Sequence, residues 1–348
     1  MNIGLIGCGR VSEIHMNAYK NIPEANVIAV SDINRDRSKT FAQKYGIKKI
    51  YNDALNLFEI KDLDFVDICT PISTHAELAC EAARHGQNIF LEKPMARNSK
   101  ECDQVIREIS KNKVKLCICH NQLFLPTVMQ AKAIVDSGNF PLAYFKVSVR
   151  ESAELIGAPN WIMTPEQGGA LWETGAHAAY LQLHFLKNIE KVWAIGEKIE
   201  HPVYDHFIIM LSNPNKTLGV IEISWLAKKE EEVFEFVNLK GQKTQILNYN
   251  FFLEFPEKTE RNLLQGFYQD QKRTMKKWTK FFLTNIRNRK LANCVPQYTL
   301  IVKFIESIKN DTDPPVTSED GRKTVRLLEY IEESLNKNEP VNVNHDLR

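Results

Sequence analysis

Residues 2–12, "NIGLIGCGRVS", join an apolar, strand-like run to a turn rich in glycine. Apolar residues recur at helical spacing directly afterwards, so the stretch predicts a strand, a tight turn and a helix. Gly7 allows the tight turn, Gly9 lets the backbone approach a pyrophosphate, and Ser12 is the third residue of a dinucleotide-binding fingerprint. Free N–H groups at the start of the helix would face the phosphates. The stretch therefore predicts the first unit of a nucleotide-binding fold.

A second signal lies at the end of the next predicted strand, "ANVIAVSD" (25–32). Asp32 follows the glycine turn at about 20 residues, the usual distance to the acidic residue that binds the adenosine ribose. A carboxylate there accepts hydrogen bonds from both ribose hydroxyls and repels a 2′-phosphate, which favours NAD over NADP. Arg35 and Arg37 are close enough in the sequence to bind a 2′-phosphate, so NADP remains an alternative.

The first third of the chain alternates between β-rich and helical segments. After residue 32 these are strands at 65–71, 88–94 and 114–121, and helices that reach Tyr45 and cover 75–86 and 99–112. Apolar strands that alternate with helices are typical of a parallel sheet buried on both faces. We therefore expect an α/β fold that begins with a doubly wound Rossmann domain in residues 1–122.

Residues 123–348 carry long β-rich runs, several with the period-2 alternation of a sheet whose two faces differ. The predicted strands are 142–152, 191–199, 205–212, 218–226 and 233–247, and the predicted helices are 262–290, 296–310 and 318–337. This half is expected to form a second, α+β domain that binds the substrate.

Composition and charge exclude several function classes. The 348 residues carry 45 Lys and Arg against 43 Asp and Glu, and a net charge of +2 does not indicate a nucleic-acid partner. No apolar run reaches the roughly 18 residues that span a bilayer, and the N-terminus lacks the basic region of a signal peptide. Seven scattered cysteines without a CxxC pair indicate reduced thiols and no zinc site. We expect a cytoplasmic protein that needs no metal and makes no membrane contact.

Together these motifs resemble the Gfo/Idh/MocA family, named after glucose-fructose oxidoreductase and inositol dehydrogenase. The resemblance covers nearly the whole chain. It rests on "GLIGCGRVSEIH" (4–15), "SDINRDRS" (31–38), "CTPISTHAELACEAARHGQNIFLEKPMA" (69–96), "GGALWETGAH" (168–177) and "PPVTSEDGRKTVRLLEYIEESL" (314–335). It implies a Rossmann domain followed by an α+β domain with a large open, mostly antiparallel sheet. It also implies a homodimer or homotetramer formed through that sheet, and a C-terminal helix that packs back on the first domain.

The resemblance identifies Lys93, in "EKP", as the central active-site lysine, and a lysine at a strand end can stabilise developing alkoxide charge. It identifies His177 as the general acid/base, since an imidazole can accept an alcohol proton near neutral pH. Glu173 stands where the family more often has Asp. It precedes His177 by four residues and shares its helix face, so it is expected to orient the imidazole or bind a substrate hydroxyl. Taken alone, that pair is more typical of core packing than of catalysis.

The motifs and the resemblance also assign residues to the two ligands. The cofactor-binding residues are Gly7, Gly9, Arg10, Val11, Asp32, Thr70, Pro71, Ser73, His75, Glu92, Lys93, Asn121 and Trp161. The substrate-binding residues are Lys93, Gln122, Trp172, Glu173 and His177. His75 is equally compatible with a structural role. Gln122 stands where many members have Arg, and Trp172 is compatible with a sugar-stacking wall or with core packing.

These assignments predict an NAD(P)-dependent oxidoreductase that transfers a hydride between nicotinamide C4 and a secondary-alcohol carbon of a cyclic polyol, sugar or sugar derivative. One alternative is a nucleotide-sugar oxidoreductase or an enzyme that cycles bound NAD while it cleaves a glycosidic bond. An alternative of another class is a non-catalytic NAD-binding sensor or scaffold. Residues 268–290 are strongly basic, and we interpret them as a solvated helix face, with an anionic membrane or a phosphorylated substrate as the sharper alternatives.

Overall fold

The computed structural model of the chain describes residues 1–247, 251–254, 295–344 and 347. The predicted helix at 262–290, the basic stretch 268–290 within it and Cys294 lie outside the described residues. Within the described ranges, no helix combines the length and the apolar character needed to cross a membrane.

The N-terminal part forms a parallel sheet of six strands in the order β3-β2-β1-β4-β5-β6. The strands are β1 (Asn2–Ile6), β2 (Asn26–Ser31), β3 (Lys49–Tyr51), β4 (Phe65–Ile68), β5 (Asn88–Leu91) and β6 (Leu116–Ile118). Every residue of β4 is buried, as expected for a sheet covered on both faces. The chain runs from β1 to one side and then returns to β4 on the other, so a crevice opens at the carboxyl ends of these two strands. The predicted doubly wound parallel sheet is confirmed.

Helices connect these strands and cover the sheet. They are α1 (Arg10–Tyr19), α2 (Arg35–Tyr45), α3 (Ala54–Phe58), α4 (His75–Arg84) and α5 (Ser99–Asn112). Asn34 caps α2 by accepting hydrogen bonds from the N–H groups of Asp36 and Arg37. By contrast, α1 begins after Gly9 without a side-chain cap among the described residues, which leaves its first N–H groups available to a ligand.

The C-terminal part of the described chain contains a sheet of eight strands in the order β13-β12-β11-β7-β10-β9-β8-β14. The strands are β7 (Leu142–Ser152), β8 (Lys191–Glu197), β9 (His206–Ser212), β10 (Leu218–Ser224), β11 (Leu226–Asn238), β12 (Lys243–Leu247), β13 (Phe251–Glu254) and β14 (Val341–Asn342). β7 and β10 pair in parallel, and the other neighbouring strands pair antiparallel. The predicted large, mostly antiparallel sheet is confirmed.

Four further helices are described: α6 (Pro126–Asp136), α7 (Gly169–Leu186), α8 (Val295–Lys309) and α9 (Ser318–Lys337). α7 is apolar around most of its circumference and packs on β7 and β10 of the second sheet. α8 packs on α1, where Phe304 meets Phe65 of the first sheet edge to face. α9 contacts α5 and β6 on one side and α7 and β8 on the other. The carboxyl ends of the first sheet and the start of α7 thereby face the same space.

Candidate active site

The glycine turn after β1 has the shape that a dinucleotide requires. Gly7 has φ of +89°, and a Cβ atom on it would lie 2.4 Å from the carbonyl oxygen of Cys69, so no other residue fits without displacing backbone. The buried Ser12 hydroxyl donates to the Gly7 carbonyl oxygen and closes the turn. No described atom lies within 4 Å of the Cβ position on Gly9, so the space above the start of α1 is open. An open approach to uncapped N–H groups fits a pyrophosphate.

Asp32 lies at the end of β2 beside this turn. Its Oδ2 accepts a hydrogen bond from the N–H of Cys8 at 2.9 Å, and its Oδ1 accepts one from the N–H of Asn34 at 2.7 Å. The Nη1 of Arg37 lies 3.5 Å from Oδ2, and more than half of that arginine side chain is exposed. The carboxylate is therefore fixed in orientation, and a guanidinium stands next to the position where the ribose hydroxyls would bind.

The loop "TPISTH" joins β4 to α4 and contains Thr70, Pro71 and Ser73. His75, at its end, lies between two carbonyl oxygens: Nδ1 is 2.7 Å from that of Pro94 and Nε2 is 2.8 Å from that of Thr70. Burial lowers the pKa of His75. The buried ring ties this loop to the turn after β5, where the Lys93–Pro94 peptide bond is cis. His75 thus fixes the loop after β4 against the turn after β5.

Lys93 and Glu173 form an ion pair between the turn after β5 and the N-terminal part of α7. The Nζ of Lys93 lies 3.0 Å from Oε1 of Glu173 and donates to the Glu173 carbonyl oxygen at 3.1 Å. The lysine side chain is 7% exposed and that of the glutamate is 35% exposed. An ammonium has three N–H donors, and two are accounted for within the described part of the chain. The third N–H can reach a substrate oxygen in the crevice.

His177 pairs with Tyr180 rather than with Glu173. The Nδ1 of His177 lies 2.7 Å from the Tyr180 hydroxyl oxygen. That hydroxyl also accepts from the main-chain N–H of Gln122 at 3.2 Å and lies 3.2 Å from Oδ1 of Asn121. Burial, and then the positive charge of Lys93, lower the pKa of His177 well below 6.5. The imidazole is therefore neutral at neutral pH, as a general base must be.

A buried charged cluster lies between α1 and the first sheet, next to Lys93. The ring of His15 bridges two carboxylates, with Nδ1 2.8 Å from Oδ2 of Asp67 and Nε2 3.0 Å from Oε1 of Glu92. Burial disfavours the imidazolium, but the charge of Asp67 and the hydrogen bonds to Asp67 and Cys119 together outweigh it and raise the pKa of His15 well above 6.5. Burial by itself would raise the pKa of Glu92. The hydrogen bond to His15 and the charges of His15 and Lys93 together have the larger effect and lower this pKa to about 2. Glu92 is thus a fixed negative charge beside the active-site lysine.

Two thiols and a phenol complete this cluster. The Tyr19 hydroxyl donates to Oδ2 of Asp67 at 2.8 Å, and the Cys69 thiol donates to Oδ1 at 3.3 Å. Cys119 lies on the other side of His15, 3.9 Å from Nε2. The spacing of these groups is short enough for shared metal ligation, but they already hydrogen-bond to one another. Burial raises the pKa of the Cys69 thiol to about 12, which disfavours the thiolate that binds metals.

Gln122 and Glu232, two buried polar residues, lie next to each other near Tyr180. The side-chain amide of Gln122 donates to Oε1 of Glu232 at 3.3 Å, and burial raises the pKa of Glu232 well above 4.5. Trp161 is 45% exposed in a short helical turn over Asn160–Met163, whereas Trp172 is only 3% exposed. The ring of Trp172 lies 5.7 Å from the guanidinium carbon of Arg97. The structure thus places Trp172 in the core and leaves Trp161 accessible.

Four residues of this site were not anticipated from the sequence: His15, Asp67, Tyr180 and Glu232. Tyr180 carries the clearest signal, because it follows His177 by three residues on one helix and therefore shares its face. Asp67 and His15 are 52 residues apart, and neither belongs to a motif with a known spacing to the other. Arg10 and Val11 open α1 directly after the glycine turn, as the fingerprint predicts.

Comparison with known proteins identifies the family. Residues 1–120 match the model of an oxidoreductase family with an NAD-binding Rossmann fold, and residues 128–244 match the Gfo/Idh/MocA C-terminal domain. The chain is 25% identical to the uncharacterized oxidoreductase YrbE of Bacillus subtilis, over 98% of this chain and 96% of that protein. It is 26% identical to myo-inositol 2-dehydrogenase of Thermotoga maritima, over 98% of each chain.

The fold also matches solved structures. The WlbA dehydrogenase from Bordetella pertussis, in complex with NADH and UDP-GlcNAcA, superposes with a TM-score of 0.84. The two chains are 18% identical, and the match covers 99% of this chain and 98% of that one. The predictions of an oxidoreductase and of NAD as its cofactor are confirmed. The chain belongs to the Gfo/Idh/MocA family of NAD-binding oxidoreductases.

Proposed function

We propose that the protein is a dehydrogenase that acts on a secondary alcohol of a cyclic polyol, a sugar or a sugar derivative. The observation that supports this most directly is the placement of Lys93 and His177, since Lys93 pairs with Glu173, one turn before His177 on α7. One is an ammonium held by Glu173, and the other is a neutral imidazole whose pKa that ammonium helps to lower. A cationic donor and a neutral base are the two groups that alcohol oxidation requires of a protein.

In the proposed arrangement, residues 1–122 form the domain that binds the cofactor and residues 123–348 form the domain that binds the substrate. The cofactor-binding residues of the first domain fit NAD. When bound, NAD supplies the hydride acceptor. The open space above Gly9 would admit the pyrophosphate, and Asp32 would bind the ribose hydroxyls. Thr70, Pro71, Ser73, Glu92, Asn121 and Trp161 would line the path toward the nicotinamide. NADP remains an alternative because of the guanidinium of Arg37 beside Asp32.

In the proposed mechanism each polar group has one task. Lys93 donates its remaining N–H to the substrate oxygen and stabilises the negative charge that develops there. His177 accepts the hydroxyl proton as the hydride leaves the same carbon. Glu173 holds the ammonium in place by its carboxylate and its carbonyl oxygen. In the reverse direction the same groups protonate and polarise a ketone.

The substrate class is inferred from the neutral polar side of the crevice. The amide of Gln122 and the carboxyl of Glu232, whose pKa is raised, offer donors and acceptors without a positive charge. Hydroxyl groups match such partners, whereas a carboxylate substrate would need a cation there. One similar chain is a myo-inositol 2-dehydrogenase, and one similar structure holds a nucleotide sugar. A nucleotide sugar is therefore the second candidate substrate.

The test is a spectrophotometric assay for NADH with NAD and a panel of inositols, aldoses, sugar acids and UDP-sugars. We expect at least one cyclic polyol or sugar to be oxidised. Lys93→Ala and His177→Gln should each lose nearly all turnover while still binding NAD. Substrate consumption without net NADH would favour bond cleavage with cycling of bound NAD. Full turnover in both variants would overturn the proposal, and NAD binding without turnover of any compound would favour a sensor or scaffold.

We also propose that the protein is cytoplasmic and that its cysteine thiols are reduced. Copies of the chain then associate through the outer face of the second sheet. Two cross-strand pairs of apolar residues on β8 and β9, Trp193 with Met210 and Ile195 with Ile208, are 40–51% exposed on this face. Contiguous exposed apolar surface of this kind marks interfaces. Light scattering should give a dimer or tetramer, and Ile195→Lys with Ile208→Glu should reduce its mass. A monomeric wild-type protein would contradict this proposal.

A further inference from the structure

The hydroxyl of Tyr180 occupies a fixed position directly behind His177. Tyr180 follows His177 by three residues on α7, and its buried ring stacks on that of His120 with the ring centroids 4.3 Å apart. The rings of His177 and Tyr180 meet edge to face at 5.6 Å. A phenol held by stacking on one side and by its helix on the other has little freedom to turn its hydroxyl away.

Three polar atoms surround that hydroxyl and determine where its proton goes. The main-chain N–H of Gln122, 3.2 Å away, can only donate. The Oδ1 of Asn121, also 3.2 Å away, can only accept. Because a phenol carries one proton, the Tyr180 hydroxyl donates to Asn121 and presents its remaining lone pair to the Nδ1 of His177, 2.7 Å away.

We infer that Tyr180 is a positioning residue that fixes His177 as the tautomer with its proton on Nδ1, so that the lone pair of Nε2 faces the substrate. This inference rests on the proposed role of His177 as the general base. In the reaction the substrate O–H bond breaks, its proton forms a bond to Nε2, and the hydride leaves the carbon for the cofactor. The resulting imidazolium keeps its Nδ1–H bonded to the Tyr180 oxygen.

The surroundings are consistent with this direction of the hydrogen bonds. Burial raises the pKa of the Tyr180 phenol well above 10, so the phenol keeps its proton throughout the working range of pH. The charged groups that act on His177 are Lys93 and Glu92, and the neighbouring His120 has a pKa lowered by burial to about 3. His120 is therefore neutral. Tyr180 is thus the group in direct contact with Nδ1 that can select a tautomer.

The direct test is nuclear magnetic resonance of protein labelled with ¹⁵N in its histidines, which reports the protonated ring nitrogen. His177→Gln identifies the signal, because it removes it. We expect the His177 signal of the wild-type protein to show a proton on Nδ1 and a bare Nε2. In Tyr180→Phe the proton should move at least partly to Nε2. A wild-type proton on Nε2, or an unchanged pattern in Tyr180→Phe, would overturn the inference whether or not a substrate has been found.

Kinetics provide the second readout, with the compound of the panel that gives the most NADH. Tyr180→Phe should lower kcat/KM about tenfold to a hundredfold, because part of the protein then carries the unreactive tautomer. It should also move the acidic limb of the pH profile to lower pH, since the imidazolium loses an acceptor. The affinity for NAD should stay within about twofold, as should all parameters of the control variant Tyr204→Phe, whose phenol contacts Asn336 of α9 rather than His177.

The two proposals fail in different ways. If His177→Gln keeps full turnover, the proposed function of His177 is wrong, whatever its tautomer. If His177→Gln is inactive but Tyr180→Phe keeps the wild-type rate and pH profile, the base is correct and the role of Tyr180 is wrong. Loss of NAD affinity in Tyr180→Phe together with the loss of rate would point to a purely structural role and would also overturn the inference.

Discussion

The imidazole of His15 and the carboxylate of Glu92 lie 3.0 Å apart between α1 and the first sheet, and Glu92 directly precedes Lys93. They are 77 residues apart in the sequence, and Asp67 holds the other nitrogen of the same ring. The active-site turn after β5 is therefore anchored by an ionic cluster in the core rather than by apolar packing alone.

Substitution of His15 by Leu should destabilise the protein strongly. It would leave Asp67 and Glu92 buried without their common counter-charge, a change that costs about 3–5 kcal/mol. Chemical denaturation monitored by tryptophan fluorescence measures this. Tyr19→Phe is the matched control, since it removes one hydrogen bond to Asp67 and should cost only about 1 kcal/mol. Equal stability of His15→Leu and wild type would show that the cluster carries no net charge interaction.

The same cluster predicts how stability depends on pH. The pKa of Glu92 is about 2 in the folded protein, below its unfolded value of 4.5, so its contribution is present above pH 4.5 and is lost as the pH falls toward 2. The pKa of His15 is raised, so its contribution is complete below pH 6.5 and is lost only as the pH rises through the higher folded value. Denaturation curves at several pH values should show the acid loss in wild type and a smaller one in Glu92→Gln.

Alanine at the two glycines of the turn should have opposite effects. Gly7→Ala places a Cβ 2.4 Å from a carbonyl oxygen at φ of +89°, and should reduce the free energy of unfolding by at least about 2 kcal/mol. Gly9 has φ of −90° and open space, so Gly9→Ala should leave stability within about 0.5 kcal/mol. Gly9→Ala should nevertheless lower the affinity for NAD about tenfold or more, because the added methyl group narrows the approach of the pyrophosphate to the start of α1. Thermal denaturation and NAD titration separate the two effects, and a stable Gly7→Ala protein would contradict the first.

Asp32 and Arg37 should together set the choice of cofactor. Asp32→Ser removes the charge that repels a 2′-phosphate and frees the guanidinium of Arg37, now 3.5 Å away, to bind it. The ratio of kcat/KM for NADP over NAD should rise at least about tenfold, or about 1.4 kcal/mol. In Asp32→Ser with Arg37→Ala most of the gain should disappear. An unchanged ratio in the single variant would mean that Asp32 does not contact the ribose.

Glu173→Gln should reduce turnover more than Glu173→Asp. The glutamine keeps the length of the side chain but removes the charge that holds Lys93 at 3.0 Å, whereas aspartate keeps the charge with one methylene less. We expect kcat to fall about tenfold or more for the glutamine, with a smaller loss for aspartate. Steady-state rates at saturating NAD measure both. Wild-type kcat in Glu173→Gln would show that the carbonyl oxygen of residue 173 alone positions the lysine.

Much of the fold follows from local pattern. The strand that leads to Gly7 and most β-rich runs of the second sheet carry their periodicity in the sequence, so their positions agree with the prediction to within a few residues. The run 233–247 is the exception, because it corresponds to the end of β11, which begins at Leu226, and to β12. Helix α3 and strand β3 were not predicted, because five and three residues are too few to display a period. Helix α6 was missed for a different reason: it begins at Pro126, and a proline is as typical of a turn as of the first position of a helix.

The motifs predict candidate residues for the site but not the partners of those residues. The motifs identify Lys93, Glu173 and His177 as candidates, and helical spacing places Glu173 and His177 on one helix face. Spacing does not show what lies opposite that face. The structure pairs Glu173 with Lys93, which is 80 residues distant, and gives His177 a phenol instead. Such partners depend on how the two sheets are oriented, and a single sequence does not encode that relation in any local pattern.

Helix α9 has a consequence for how ligands enter and leave. Arg322 pairs with Asp103 of α5 at 2.6 Å, and the hydroxyl of Ser334 accepts from the N–H of Ala194 in β8 at 2.9 Å. The first contact belongs to the cofactor half of the molecule and the second to the large sheet. A hinge motion that widened the crevice would have to break one of them. Helix α9 thus connects the two sheets on both sides of the crevice. We therefore expect ligands to enter and leave by movement of loops at the edge of the crevice, without a change in the distance between the two sheets.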